Sequence, residues 1–358
     1  MQPSGPGCAS RTRAPKRIGS TYEFHPDFKE KTLEKITLTL AIGNYDHVRD
    51  LIDGQVPVQG ARLIVLNLPP EEVFFRFTLH REWDVSEMSM GSYVSMRSQG
   101  DTSITALPVF VSRVFRHSMI YVTEASGITT AGQLRGKRIG VPQWTQTAAI
   151  YARGFLSHEA GVPLESIEWV QGGVNQAGRI EKMKLKLPAG LKYRGVPDRS
   201  LGEMLLAGDL DAVLSARPPS ALGRGVRRLF ENYEELEEAY FRKTGIFPIM
   251  HVLAVKTELL ERYPWLAMNL YKAFNEAKRR SLERFEDITA SYAPLAWLKS
   301  YSDRMKALFG QDFWPYGLEP NRKTLEAFLL FAHEQGVCHR RVTPEEIFPK
   351  EVLSTYRV

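Results

Sequence analysis

The chain has 358 residues, 43% hydrophobic and 25% charged, the balance of a soluble globular protein with length enough for two domains of ordinary size. Its net charge of +6 is partly local, because Arg11, Arg13, Lys16 and Arg17 face no acid within the first 17 residues, so no nucleic-acid partner is implied. Cys8 and Cys338 cannot build a disulfide framework, no window reaches the roughly 18 apolar residues of a membrane span, and no apolar stretch flanks the basic N-terminus. A cytoplasmic protein with no membrane partner is therefore expected.

Residues 1–34 read as a disordered extension. The first strand is expected over 35–42, where Ile36, Leu38 and Leu40 alternate with threonines and end in the polar run Gly43 to His47. A helix through Val48 to Ile52 stops at Asp53-Gly54, and a strand follows over 62–68. Pro69-Pro70-Glu71-Glu72 then opens a helix with acids in its first turn. Strand 83–89 leads through Gly91 into a helix holding Tyr93, Val94 and Met96. This βαβ rhythm argues for an open α/β sheet.

Residues 107–118 carry an apolar, proline-led strand and then Arg113, Arg116 and His117 within five positions. Arginine forks grip carboxylates bidentately and histidine moves protons near neutral pH, so the cluster points to an anionic, carboxylated ligand. The alternative is surface ion pairs around a core histidine. The turn-rich connector 131–137 feeds strand 138–141. Gln143 to Thr147 then leads into a helix through Ile150, whose N-terminus favours an anion. A strand over 167–170 ends in Gly172-Gly173, and residues 174–200 form a basic loop or hairpin insertion without a period. Helix 201–207 and strand 209–214 precede Arg217-Pro218-Pro219. The extended run 244–255, holding Pro248 and His251, leads back to the first domain, and the rest is helical. Three parts are expected: 35–130 and 247–358 as one lobe, and 131–246 as the other.

Several motifs appear in order: Gly-Asn-Tyr-Asp at 43–46, Asp-Val-Ser-Glu-Met-Ser at 84–89, Arg-Val-Phe-Arg-His at 113–117 and Gly-Gly at 172–173. Phe-Pro-Ile-Met-His at 247–251 and Trp-Pro-Tyr-Gly at 314–317 follow. Across about residues 36–350 this order resembles the 4,5-dihydroxyphthalate decarboxylase family. The resemblance implies an α/β, two-lobed type II periplasmic-binding-protein-like fold, with a ligand cleft between the lobes at the carboxyl ends of strands. It places Asn44, Tyr45, Asp46, Glu87, Arg113, Arg116 and His117 on the wall of the first lobe. Trp144, Gln146, Thr147, Gly172, Gly173 and Arg217 fall on the second, with His251 near the hinge.

The activity so implied is non-oxidative decarboxylation of a hydroxylated aromatic dicarboxylate, most simply 4,5-dihydroxyphthalate to protocatechuate and carbon dioxide. Arginines would hold a carboxylate, while His251, His117 or Glu87 delivers the proton. Each has an ordinary alternative, a core histidine or a helix-capping carboxylate. Tyr45 and Trp144 could sandwich an aromatic ring or simply pack the core. No HExxH, CxxC, GxSxG or Walker spacing occurs, so neither metal nor cofactor is expected. The competing function is a solute-binding protein or cytosolic sensor for a small organic anion. The sequence leaves homo-oligomerisation open.

Overall fold

The computed structural model describes residues 35–353. Its strands are β1 (Ile36–Ala41), β2 (Ala61–Leu66), β3 (Val85–Ser89), β4 (Ile104–Arg113), β5 (Ile120–Thr123), β6 (Arg138–Val141), β7 (Glu168–Gln171), β8 (Lys192–Gly195), β9 (Ala212–Leu214), β10 (Val226–Arg228) and β11 (Ile249–Lys256). The helices are α1 (Arg49–Ile52), α2 (Pro70–His80), α3 (Met90–Ser98), α4 (Thr147–Gly154), α5 (Leu201–Leu206), α6 (Tyr233–Thr244), α7 (Thr257–Arg262), α8 (Leu266–Glu286), α9 (Leu298–Phe309) and α10 (Arg322–Glu334). Among the described residues no helix is long and apolar enough to cross a membrane.

The strands form two sheets, one per lobe. The first has the order β2-β1-β3-β11-β4 and the second β10-β5-β9-β6-β7-β8. In the first, β1, β2 and β3 are parallel while β11 runs antiparallel between β3 and β4. Strands covered on both faces are ordinarily near-continuous apolar runs, as β4 is; β3 is buried along nearly its whole length as well but carries Ser86 and Glu87 into the interior. The core of lobe one is built on Leu40, Val85, Met88 and Phe110, that of lobe two on Ile139, Trp169, Val170 and Val213, all fully buried. Helix α10 packs against α3 of the first lobe and α4 of the second, and so spans the junction.

The first crossing between lobes lies earlier than the expected boundary at 131. Ile120–Thr123 alternates apolar and polar residues and pairs antiparallel with Ala212–Leu214, so β5 already belongs to the second sheet and the chain changes lobe between Arg113 and Ile120. The turn-rich run at 131–137 joins two strands of that sheet. The chain returns between Arg228 and Ile249. The 174–200 segment contains β8, an edge strand parallel to β7. Helix α6, with Glu234 and Glu235 in its first turn and Gly245 at φ 69° as its stop, had no counterpart in the sequence reading. The expected N-terminal extension lies outside the described residues.

Candidate active site

A cleft of about 290 Å³ opens between the lobes, floored by His251 and Met250 of β11. Successive strand residues ordinarily face opposite sides. The register of β11 against β4 shifts on either side of His251, and this irregularity lets neighbours line one cavity. Helix α2 supplies Glu71, Phe74 and Thr78. The first crossing supplies Arg116, the turn into α4 supplies Gln143, Thr145, Gln146 and Thr147, and the 174–200 segment supplies Arg179, Lys182 and Met183.

His251 is held from behind. Glu87 on β3 pairs with Leu253 and Ser89 pairs with His251, so Glu87 and His251 are diagonal neighbours on one sheet face. Glu87 Oε1 lies 2.6 Å from His251 Nδ1 and accepts the Tyr45 hydroxyl at 2.6 Å, while Oε2 accepts the Gly43 N–H at 2.9 Å. The Glu87 carboxyl is fully buried. Burial alone would raise its pKa, but the hydrogen bond and charge of His251, with the bonds from Tyr45 and Gly43, hold it below the ordinary carboxylate value. An ionised carboxylate only accepts, so the ring presents Nδ1–H to Glu87 and leaves Nε2 without a protein partner among the described residues. Phe74 packs edge-on against the imidazole with ring centroids 4.8 Å apart. Burial, then the charge and hydrogen bond of Glu87, push the Tyr45 hydroxyl well above its usual pKa, so it stays a donor.

The charge of the cleft is lopsided. Arg116, Arg179, Lys182 and Arg217 line it against a single carboxylate, Glu71, which is already paired with Arg217. Arg116 donates through Nε to Met250 Sδ at 3.1 Å and makes no ion pair among the described residues. Burial pushes its guanidinium down to about 10, where it remains charged at neutral pH. An unpaired, largely buried guanidinium is a site waiting for an anion. Among the described residues no three or more His, Cys, Asp or Glu side chains gather as a metal set.

Of the residues named from sequence, His251, Arg116, Gln146, Thr147 and Arg217 line the cleft, with Glu87 and Tyr45 behind His251. Thr147 also joins the lobes: its Oγ1 bonds Ser89 Oγ and accepts the Gly91 N–H, each at 2.9 Å. Gly91 is required there, because a Cβ would stand 2.3 Å from the Thr145 carbonyl oxygen. Arg113 is not a cleft residue. It ends β4 inside the first lobe, 5% exposed, with its guanidinium donating to the carbonyls of Phe247 and Pro315 and to Asn321 Oδ1. His117 is a buried packing residue edge-on to Phe155 and Tyr240, 3.7 Å from Glu237.

Trp144 faces the core as well. Its indole N–H donates to the Gln335 carbonyl at 2.7 Å and the Arg153 guanidinium lies 3.7 Å from its ring centre, so neither Trp144 nor Tyr45 is free to sandwich a ligand. Asp46 bonds Ser281 and Arg49 and anchors α8, and Asn44 is exposed outside the lining. Gly172 and Gly173 are backbone devices: a Cβ on Gly173 would stand 1.8 Å from the Gln176 carbonyl oxygen, so its absence lets the 176–179 turn fold across. Sequence reasoning missed Arg179, Lys182, Gln143 and Phe74. For Arg179 and Lys182 the signal was the excess of basic residues in a segment without period; Gln143 and Phe74 carried none.

No protein-family model matches the chain. A 4,5-dihydroxyphthalate decarboxylase of Comamonas testosteroni is 38% identical over 330 residues, covering 91% of this chain and all of the relative. Another, from Pseudomonas putida, is 39% identical over 208 residues, 58% of this chain and 81% of that one. Among solved structures, the periplasmic aliphatic sulphonate binding protein SsuA of Escherichia coli superposes with a TM-score of 0.50 at 13% identity, covering 89% of this chain and 99% of that one, a likeness of fold alone. The architecture is thus the two-lobed periplasmic-binding-protein-like fold, and the chain belongs to the 4,5-dihydroxyphthalate decarboxylase family.

Proposed function

We propose that this protein is a carboxy-lyase that removes one carboxylate from a hydroxylated aromatic dicarboxylate, with 4,5-dihydroxyphthalate giving protocatechuate and carbon dioxide as the simplest case. The observation that carries the reading is the Glu87–His251 pair set into a cleft where four cations meet one acid. The curated relatives bear the name of that activity.

In such a substrate each hydroxyl is para to one carboxylate-bearing carbon and feeds electron density to it. The protonated His251 gives its Nε2 proton to that carbon, forming the C–H bond and interrupting the aromatic ring. The C–C bond then breaks, its electron pair returns to the ring, and carbon dioxide leaves. One proton is consumed and a dianion becomes a monoanion, so His251 must be recharged from solvent each turn. Glu87 fixes the ring's orientation and balances the charge it carries while protonated. Arg116 holds a carboxylate beside the floor, and a positioned acid contributes about 10²- to 10⁴-fold. A protein that only bound its ligand would use the cationic cleft but would give the buried carboxylate behind His251 no task.

The test is to incubate the purified full chain with 4,5-dihydroxyphthalate and with hydroxybenzoates while following carbon dioxide release. Release from the dicarboxylate, lowered about 10²-fold in His251→Asn, is expected. Binding without release from any of these acids would favour the binding protein instead.

A further inference from the structure

The 174–200 segment places a second cation in the cleft without giving it an acid. Arg179 Nη2 donates to Gln143 Oε1 at 2.7 Å, and no other protein acceptor meets its side chain among the described residues. The acids whose charges act on it are committed elsewhere. Glu71 is bonded by Arg217, while Glu181 accepts from the N–H groups of Trp144, Thr145, Lys182 and Met183 and from the Thr145 hydroxyl.

The residue is also held in place. Gln171 Nε2 donates to the Arg179 carbonyl at 2.8 Å and Gln143 Nε2 to the Ile180 carbonyl at 3.1 Å, so the backbone on both sides of the guanidinium is pinned to lobe two. A rigidly mounted fork with most of its donors unused costs little to order around a carboxylate. Lys182, whose ammonium stands 4.6 Å from the centre of the Phe75 ring on α2, adds a further positive charge from the same turn.

Resting on the decarboxylase reading of the cleft, we propose that Arg179 is the specificity-determining residue that recognises the second carboxylate of the substrate, while Arg116 holds the first. The two guanidiniums arrive from different segments, one at the first crossing and one on the 174–200 turn, and line the same small cavity. A monocarboxylate satisfies one of them, and an ortho-dicarboxylate satisfies both.

Titration calorimetry with phthalate and benzoate, which bear two and one carboxylates and no activating hydroxyl, tests this on the wild type, Arg179→Met, Arg179→Lys and Arg116→Met. The wild type should bind phthalate at least about tenfold more tightly than benzoate. Arg179→Met should weaken phthalate about ten- to a hundredfold and leave benzoate within about twofold, with Arg179→Lys between, while Arg116→Met weakens both. Equal affinity of the wild type for the two acids, unchanged phthalate binding in Arg179→Met, or an equal loss for both ligands would overturn the assignment. Turnover of 4,5-dihydroxyphthalate is scored separately: no release with the phthalate pattern intact removes the decarboxylase reading and leaves this one standing.

Discussion

Glu71 and Arg217 meet across the cleft, carboxylate Oε1 to Nη2 at 2.7 Å, one from each lobe. Their side chains are 48% and 70% exposed, so the pair contributes little to folding, on the order of 0 to 1 kcal/mol. Its effect lies in closure. Glu71→Gln should leave the melting temperature almost unchanged and speed ligand release several-fold in stopped-flow displacement of phthalate. A large loss of stability without a change in release would assign the pair a structural role.

Arg113 and Arg116 should separate cleanly on substitution. Arg113→Met removes the donor shared by two backbone carbonyls and Asn321, which costs about 3 kcal/mol in denaturant unfolding and leaves ligand affinity within about twofold. Arg116→Met should do the opposite, weakening phthalate binding by about 1.5 to 5 kcal/mol with a small change in stability. Parallel unfolding and calorimetry decide the matter, and a comparable loss of phthalate affinity in both variants would restore the reading made from sequence, in which both arginines hold carboxylate.

The separation of these two arginines shows where the sequence stopped being legible. Both arginines follow one apolar run, and nothing in the run says that β4 extends to Arg113 and hides its guanidinium in the lobe while Arg116 emerges at the crossing. The open α/β sheet could be read because the βαβ rhythm is local and its turns are marked by glycine and proline, while the two-lobed fold followed from the resemblance of the motif order to a known family. Glu87 and His251 could be named as titratable groups near strand ends. Their union depends on the antiparallel register of β3 and β11, which joins residues 164 positions apart. Arg179 escaped because its segment has no period and is held by side-chain hydrogen bonds to the backbone.

Acid should destabilise the protein in two stages. Burial pushes His47 down to about 4 from an ordinary 6.5, so the unfolded chain binds the extra proton first. Stability is therefore full above 6.5 and falls by about 3 kcal/mol as pH drops toward 4. Glu87 is also held below its ordinary 4.5, and its contribution is present above that pH and lost as pH falls through the folded value. Urea unfolding between pH 7 and 4 should show the first slope, and His47→Gln should flatten it; a slope unchanged in that variant would place the proton elsewhere.

Tyr45 acts through Glu87, with no place in the cleft lining. In Tyr45→Phe the carboxylate loses one of its donors, so the pH profile of kcat should shift while KM stays within about twofold. A rise in KM with the pH profile unmoved would mean that the phenol touches substrate after all.

Delivery of a proton to the ring by His251, oriented by Glu87, is the step on which the proposed reaction turns. The most direct measurement is single-turnover carbon dioxide release from 4,5-dihydroxyphthalate by His251→Asn, with phthalate affinity of the same preparation measured alongside. Turnover lower by about 10²-fold or more, with affinity within about twofold of the wild type, is expected. Near-wild-type turnover in a folded His251→Asn protein would contradict it.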